Sequence, residues 1–274
     1  MKRVFIMVLA LLGGSGLYAQ IKEGTIVYER RINMHRTIQN EQMRAMIPEF
    51  RTSKHMLLFS DSVSVYKLVP EDEAPDPFAG GGGGVRMIMR GAADGGDLYK
   101  NFSQAKSVQT SELAGKNYLI VDSIRQQPWK LYPETKQVLG HTCRKAVRKM
   151  PAPVAAMRTI SMVNGVQRDS GSAPAVPAAR EVEVIAWYAD NIITPAGPEG
   201  YGQLPGAILQ LDFDNGQNVI TAVEIREKVD QKELKEPRKG KIVTQAAYRQ
   251  LMQDLMNTQM QSMPGGGMRM RFGN

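Results

Sequence analysis

Three histidines and one cysteine supply the most reactive side chains of this 274-residue sequence. His35 and His55 stand apart, and neither belongs to a spacing that is typical of metal ligands. His141 and Cys143 are two residues apart, so on a strand both would face the same side. Such a pair is able to bind a soft metal or to act as a thiol–imidazole couple. The interpretation that we favour is a buried small thiol beside an ordinary histidine.

Motifs of common hydrolases are missing from the sequence. It contains neither the Gly-x-Ser-x-Gly elbow nor the His-Glu-x-x-His zinc motif. Catalysis needs nucleophiles, bases or metals that converge, whereas the three histidines are scattered along the chain. We therefore predict that the protein is not an enzyme and carries neither catalytic residues nor a cofactor. A hydrolase whose site is assembled from distant residues is the third-ranked alternative.

Methionine is unusually frequent, with 17 residues, and several of them recur near the C-terminus. Met252, Met256 and Met260 follow one another every four residues, which places them on one face of a helix, and Met263 comes next. Thioethers are soft ligands that select Cu(I), so one alternative function is copper handling by this Met-rich helix. The interpretation that we favour is a helix that uses methionine to pack on an uneven sheet.

The N-terminus has the pattern of a secretory signal peptide. Lys2 and Arg3 precede an unbroken apolar run over residues 4–12, and the small residue Ala19 ends the segment. We expect cleavage near Ala19, so that residues 1–19 are removed and the mature chain is periplasmic or secreted. A retained N-terminal anchor is the alternative. No later segment has the roughly 18 apolar residues that a membrane span needs, which leaves peripheral association as the possible membrane contact.

The mature chain is expected to be mildly basic. Removing Lys2 and Arg3 leaves 33 of the 35 basic residues against 27 acidic ones, which lowers the net charge from +8 to +6. These charges are spread along the chain, whereas a nucleic-acid-binding protein has a clustered basic face. We therefore exclude nucleic acid as a partner. The single cysteine, Cys143, rules out an internal disulfide, so stability must come from a packed core.

Alternation of apolar and polar residues dominates the chain and predicts β-strands. In the first such segment, Ile26, Tyr28 and Arg30 share one face. One hairpin is expected to turn at residues 60–62, and a second at the Asn-Gly pair of residues 215–216. The predicted strands cover residues 25–32, 55–59, 63–68, 117–121, 129–132, 138–147, 182–188, 207–213 and 219–225, with a turn at 133–136.

Two stretches interrupt this β domain, which we place at residues 20–243. Residues 70–97 contain five consecutive glycines, and residues 150–179 are rich in Ala, Pro and Ser. Because neither stretch brings enough apolar side chains to build a core, both are predicted to be flexible insertions. A short helix is expected at residues 41–50.

The period of the pattern becomes helical after the last strand. Residues 244–263 predict a C-terminal helix with Thr244 as its N-cap, followed by a disordered tail over residues 264–274. Many short strands and one late helix predict a mainly β, β-rich α+β fold. We expect a curved antiparallel sheet that forms a half-open barrel, with the C-terminal helix covering its opening.

Three segments of the chain have a distinctive composition. The first is a Trp strand followed by a Leu-Gly-His-Thr-Cys stretch, the second contains a Trp-Tyr pair, and the third reads Leu-Pro-Gly-Ala-Ile. Their characteristic residues are Trp129, Cys143, Trp187, Tyr188, Leu204, Pro205, Gly206 and Ile208. Together the segments resemble the GLPGLI family of exported proteins, which is found mainly in Bacteroidetes. Gln203 and Ala207 stand where the family motif has Gly and Leu.

The resemblance implies an exported protein without an established activity, so it supplies no catalytic residue. In the third segment, Pro205 fixes φ and Gly206 permits a positive φ, which predicts a type II turn that leads into the strand at residue 207. Our first functional hypothesis is a non-catalytic module that binds an envelope protein or a small apolar ligand on the concave face. The residues of the three segments are its possible binding residues.

Overall fold

The described residues form a single open sheet of twelve strands with helices at its margins. It was obtained as a computed structural model that describes residues 20–38, 40–70, 96–152 and 180–262. The prediction of a mainly β fold, with an antiparallel sheet and a C-terminal helix, is confirmed, and the sheet does not close into a barrel. The strands are β1 (Gly24–Asn33), β2 (Phe50–Phe59), β3 (Val63–Leu68), β4 (Leu98–Asn101), β5 (Lys106–Leu113), β6 (Lys116–Ser123), β7 (Lys130–Val138), β8 (His141–Pro151), β9 (Glu181–Ala189), β10 (Ala207–Phe213), β11 (Asn218–Arg226) and β12 (Lys241–Thr244).

The order of the strands divides the sheet into two meanders. The spatial order is β12-β6-β5-β4-β3-β2-β1-β11-β10-β9-β8-β7, so that β1 to β6 form one meander and β7 to β11 the other. Both are antiparallel throughout, and they are joined where β1 pairs with β11. The one parallel pair described is β12 with β6, at the far edge of the sheet.

Contacts made by Tyr201 show that the sheet is strongly curved. Its carbonyl oxygen accepts a hydrogen bond from Lys100 of β4 at 3.3 Å, and its hydroxyl lies 3.7 Å from the sulfur of Met150 of β8. These two strands are seven steps apart in the sheet, which is about 34 Å across a flat sheet at ~4.8 Å per step. One tyrosine does not bridge such a distance, so the sheet bends around it and its concave face carries Lys100.

The larger core cluster lies on this concave face. Alternate residues of β1 and β2 supply Ile26, Tyr28, Leu57 and Phe59, which are all at most 1% exposed. Burial of each such side chain stabilises the fold by roughly 1.5–3 kcal/mol. The second meander contributes to the same cluster with Cys143, Ala146, Val184, Ala186, Tyr188, Ala207, Leu209, Leu211, Ile220 and Ala222.

A smaller core covers the convex face of the first meander. Leu58, Val65 and Tyr99 point away from the concave side and pack with Leu234, which follows β11. Ion pairs from Lys67 to Glu233 and from Lys106 to Glu236, at 2.5 and 2.6 Å, fasten the same segment to the strands. The chain therefore crosses the back of the sheet before it forms β12.

Two tight turns were absent from the sequence-based predictions. Ala114 and Gly115 join β5 to β6, and Leu139 and Gly140 join β7 to β8, with all four residues at positive φ between 49° and 78°. Positive φ at both central positions is the geometry of the type I′ hairpin. The predicted turn at residues 133–136 was wrong, because β7 continues through it with an irregularity in its pairing to β8.

The first helix is shorter than predicted. Helix α1 spans Glu41–Met46, and Phe50 already belongs to β2, which begins five residues earlier than the predicted strand. Strand β8 extends to Pro151, into the second predicted insertion. The remainder of both predicted insertions, residues 71–95 and 153–179, lies outside the described residues, as do the predicted signal peptide and tail.

Helix α2 (Gln245–Ser262) closes the edge of the first meander. As predicted, Thr244 caps it, because its hydroxyl accepts a hydrogen bond from the Ala247 amide at 3.2 Å. Tyr248 packs edge-on against Tyr118 and its hydroxyl lies 2.6 Å from Ser111 Oγ. Of the helices that the structure describes, none has the length and apolarity for crossing a bilayer.

Replacing Tyr248 by alanine is expected to release α2 while leaving the sheet folded. The change removes an almost fully buried ring from the small cluster that joins the helix to β6, at a cost of about 3 kcal/mol. Hydrogen exchange should show faster exchange of the helix amides, with the amides of β1 and β11 unchanged. Gln253→Ala, on the exposed side of α2, is the control. Equal helix protection in both variants would contradict this account of the docking.

Candidate functional site

A cleft of about 740 Å³ opens on the concave face of the sheet. Residues of β1 to β6 form its floor, and Arg148 and Met150 of β8 border it from the second meander. Its walls are residues 124–127 and residues 199–203, and the first turns of α2 lie at its rim. This volume is within the range of about 300–1,000 Å³ that is typical of small-molecule sites.

The wall formed by residues 195–203 is a tightly closed loop. Ala196 and Gly202 form an isolated bridge, and the Gln203 amide donates to the Pro195 carbonyl at 2.7 Å. Gly202 has φ of 149°, and a Cβ there would lie 2.5 Å from the Pro195 oxygen, so only glycine fits. The loop is therefore held in one shape by its own backbone.

Two residues of the connection between β6 and β7 fasten this loop. Trp129 Nε1 donates to the Gly202 carbonyl at 2.8 Å, and the Trp129 ring lies 6.3 Å from the Tyr201 ring. The backbone N–H of Gln127 donates a hydrogen bond to Gln203 Oε1 at 2.8 Å, and its side-chain Nε2 donates one to the Gly200 carbonyl at 2.7 Å. Trp129, a predicted binding residue, thus positions the wall of the cleft.

The Leu-Pro-Gly-Ala-Ile segment attaches the loop to the core. Leu204 and Ile208 are buried, Pro205 is exposed, and the buried Tyr28 hydroxyl donates to the Ile208 carbonyl at 2.7 Å. The predicted reason for Gly206 was wrong, because its φ is not in the left-handed region. Glycine is needed there for space, since a Cβ would lie 2.0 Å from the Ala189 oxygen.

Gln203 and Ala207, the two residues that depart from the family motif, each make a defined contact in the structure. Gln203 adopts φ of 61°, in the left-handed region where the motif's glycine would be unstrained. Its side chain in return accepts the bond from Gln127 that joins the two walls. Ala207 is fully buried and its amide donates to the Ile192 carbonyl at 2.9 Å, so it contributes to the core.

Arg30, Tyr66 and Glu199 form the centre of the cleft's polar lining. Arg30 Nη1 lies 3.3 Å from Glu199 Oε1, an ion-pair distance without the geometry of a hydrogen bond. Burial, and secondly the Glu199 carboxylate, raise the pKa of Tyr66 far above its ordinary value. The hydroxyl therefore keeps its proton at every physiological pH and is able to donate it to a hydrogen bond. The ring of His55 stacks on that of Tyr66, with centroids 5.2 Å apart.

Lys100 places a charged amine in the same cleft although only 8% of the residue is exposed. Burial lowers its pKa to about 8, because the charged form loses hydration. Its amine bonds to the Tyr201 carbonyl, and burial together with Glu199 raises the pKa of Tyr201 to about 12. At neutral pH the cleft thus combines a mostly protonated lysine with two un-ionised tyrosines.

Four buried side-chain atoms in the described part of the chain have no hydrogen-bond partner, and all four belong to residues that line this cleft. They are Tyr66 Oη, Gln127 Oε1, Arg148 Nε and Glu199 Oε1. A buried polar group without a partner destabilises a fold by about 1–3 kcal/mol, and native proteins keep few of them. Their concentration in one cleft makes it the candidate ligand site among the described residues.

The remaining predicted binding residues lie away from the cleft. Tyr188 is part of the core, and Trp187, its neighbour on β9, stacks under the Lys136 amine at 4.4 Å. Cys143 is fully buried and its sulfur contacts the backbone oxygen of His141 at 3.6 Å. The His141 imidazole instead contacts the Asn191 side chain. The geometry therefore does not form the thiol–imidazole couple.

The other histidines are each engaged separately. His35 Nε2 lies 2.7 Å from the Ile47 carbonyl, and His55 Nε2 lies 3.1 Å from Ser53 Oγ. Within the described ranges, no group of three or more His, Cys, Asp and Glu side chains is arranged to hold a metal ion.

The methionines of the copper alternative are only partly described. Met252 packs against the cluster that contains Tyr248, as the packing interpretation expects. Met256 and Met260 fall within α2, but their side chains are outside the described part, and Met263 lies outside the described residues. Copper binding stays a prediction.

The cleft residues that sequence reasoning missed are Lys100, Arg148, Glu199, Gln127, Tyr66 and Tyr201. Arg30 alone carried a signal, because the predicted alternation places it on the same face as Ile26 and Tyr28. The others come from five separate parts of the chain, and no short spacing links them.

Residues 129–210 match a family model described as a protein of unknown function, Porph_ging. This stretch contains the three segments that resemble the GLPGLI family, including Trp129 and the loop at residues 195–203. The description names no activity. No curated protein matches the chain.

Among solved structures, the chain is similar to PNGF-II in two crystal forms. In the C2 form the TM-score is 0.49 at 14% identity, covering 84% of this chain and 32% of the other. In the P21 form the values are 0.49, 15%, 85% and 33%. The chain thus spans about a third of the length of PNGF-II. LprF from Mycobacterium bovis is similar at a TM-score of 0.25 and 10% identity, covering 80% of this chain and 90% of that one.

Gly206→Ala should destabilise the protein by more than about 3 kcal/mol, since the added methyl group collides with the backbone of Ala189. Denaturant unfolding measures this loss. Gly200→Ala in the neighbouring loop is the matched control, because its Cβ would meet no atom within 4 Å, and it should change stability by less than about 0.5 kcal/mol. Similar midpoints for the two variants would refute the steric role of Gly206.

Cys143 is expected to resist alkylation in the folded protein. Burial raises the pKa of its thiol to about 11, so the reactive thiolate forms only as the pH rises toward that value. At pH 8, iodoacetamide should modify the native thiol on the order of 100-fold more slowly than the thiol of the urea-unfolded chain. Mass spectrometry over time gives both rates, and equal rates would show an accessible, activated cysteine.

Proposed function

We propose that the protein is a non-catalytic binding module of the bacterial cell envelope, exported and cleaved near Ala19, which holds a small ligand in the cleft on its concave face. We also infer membership of the GLPGLI family from the three matching segments. The observation that carries the proposal is the collection, around one cleft, of four buried polar atoms that have no hydrogen-bond partner in the described part of the chain.

The construction of the cleft supports a binding role. Its floor belongs to strands of a single sheet, and its wall at residues 195–203 is locked by Trp129 and Gln127. A site preorganised in this way binds without first ordering its own side chains, which is a main cost of association. A ligand that donates to and accepts from the four atoms would remove their desolvation penalty.

The lining favours a ligand with polar groups over a purely apolar one. Leu98, Phe102 and Ile120 offer apolar surface, but charged or hydroxyl-bearing residues surround them on the same floor. A hydrocarbon alone would leave the four buried polar atoms without partners. Binding of an envelope protein is the second form of the hypothesis, and the experiment below separates the two.

Filling the cleft is expected to abolish ligand retention. Gln109 of β5 points into the cleft and is half-buried, so Gln109→Trp occupies the space without breaking a side-chain hydrogen bond found in the described residues. Purified protein is incubated with a small-molecule extract of bacterial envelopes, desalted and denatured. Released molecules are then identified by mass spectrometry, and the wild type should yield a compound at about one equivalent that the variant lacks.

Glu112→Trp provides the matched control, because Glu112 lies on the same strand, exposed and on the opposite face. It should retain the compound as the wild type does. If the wild type releases nothing that Gln109→Trp lacks, the cleft is not a small-molecule site, and a protein partner becomes the better hypothesis.

A further inference from the structure

The chemical class of the ligand follows from the charges of the cleft, and this inference rests on the proposed function. Of the described residues that line the cleft, six are basic and two are acidic. Three of the basic ones have carboxylates nearby: Arg30 pairs with Glu199, Lys67 with Glu233, and Arg125 lies 4.0 Å from Asp122. The remaining three are Lys100, Arg148 and Arg249.

Lys100 and Arg148 are the two cations that the interior of the cleft leaves without a counter-charge. Among the described residues neither has a carboxylate within ion-pair distance. Lys100 is almost fully buried, with the neutral carbonyl of Tyr201 as its partner, and Arg148 Nε is buried with no partner. Arg249 differs, because it lies on the exposed side of α2. Buried charges in proteins are normally paired, so the two cations indicate that the ligand brings an anionic group.

The two walls of the cleft, residues 124–127 and 199–203, require hydrogen-bond donors from the ligand. Gln127 Oε1 and Glu199 Oε1 are buried acceptors without hydrogen bonds, and each belongs to one wall of the cleft. The Glu199 side chain keeps 29% of its surface exposed on the cleft wall, so its carboxylate is able to accept an O–H or N–H group from a ligand. The ligand must therefore carry donors as well as an anion, and a fatty acid carboxylate supplies no such donor.

Size and apolar surface complete the description. The cleft has room for roughly 25 water molecules at ~30 Å³ each, which is far more than a bare inorganic anion fills. Phe102, Ile120 and Met150 present apolar surface between the polar groups. Sugar rings combine hydroxyl donors with apolar C–H faces, and a sugar acid adds a carboxylate.

We propose that the cleft binds a small acidic saccharide, with its carboxylate between Lys100 and Arg148 and its hydroxyl groups donating to Gln127 and Glu199. Tyr66 lies beside Glu199 and its hydroxyl completes the set by donating to a sugar oxygen. Arg30 holds Glu199 in place as a positioning residue, since the two form an ion pair in the absence of ligand.

Calorimetric titration with three probes tests the proposal on the full chain: digalacturonate, the neutral disaccharide galactobiose, and dodecanoate. Digalacturonate should bind with 1:1 stoichiometry and at least about tenfold more tightly than galactobiose, because the charged hydrogen bonds are lost with the carboxylate. Arg148→Gln and Lys100→Met should each weaken digalacturonate binding by about tenfold or more.

Lys149→Gln is the matched control for charge. Lys149 follows Arg148 on β8, is exposed and faces the opposite side, so its loss removes the same net charge outside the cleft. Digalacturonate affinity should stay within about twofold of wild type at ordinary ionic strength. Lys100→Met removes a buried charge and preserves side-chain length, so it keeps the test valid even if Arg148→Gln unfolds.

Several results would overturn the proposal. They are equal affinity for the neutral disaccharide, binding of dodecanoate alone, an equal loss in Lys149→Gln, and no binding of any probe. In each of these cases a compound retained from the envelope extract by wild type but not by Gln109→Trp would preserve the binding function and exclude only the acidic saccharide. Failure of both experiments would remove the cleft as a ligand site.

Discussion

The close approach of the Gly206 backbone to Ala189 is the constraint on which the site depends. It allows the chain to turn from the closed loop at residues 195–203 directly into β10, with no side chain between the two backbones. The hydroxyl of Tyr28, on β1, then fixes the start of β10 by donating a hydrogen bond to the Ile208 carbonyl. The loop is thus anchored in the core where it enters β10, Trp129 also holds it at Gly202, and its position over the concave face defines the cleft.

Stability and the proposed binding function place opposite demands on the same residues. The described part of the sheet buries a lysine and leaves an arginine nitrogen, a carboxylate oxygen, an amide oxygen and a hydroxyl without hydrogen-bond partners in one place. Each of these groups destabilises the fold, and the large aliphatic and aromatic core on the same face offsets that cost. When buried polar atoms without hydrogen bonds are concentrated at one site, that site is typical of surfaces selected for recognition rather than for stability.

The sequence was informative where the structure depends on local pattern. Alternation located most strands and placed Arg30 with Tyr28, and the capping preference of Thr244 located the start of the last helix. It gave no signal where the structure depends on curvature, because Lys100 and Arg148 line one cleft only when strands seven steps apart bend around Tyr201. It misled at Gly206, since a glycine required by its neighbours looks the same in a sequence as one required by φ.

The pairing of β1 with β11 has a consequence for how the chain reaches its native state. Thr25 of β1 pairs with Arg226 of β11, so the two meanders join only after nearly all the described strands have been synthesised. Contacts of such long sequence separation slow folding, because loop closure must precede the interactions that reward it. Until that seam closes, Arg30 and Lys100 stand on one half-sheet and Arg148 stands on the other. The cleft is therefore complete only when the whole sheet has assembled, and neither meander forms it alone.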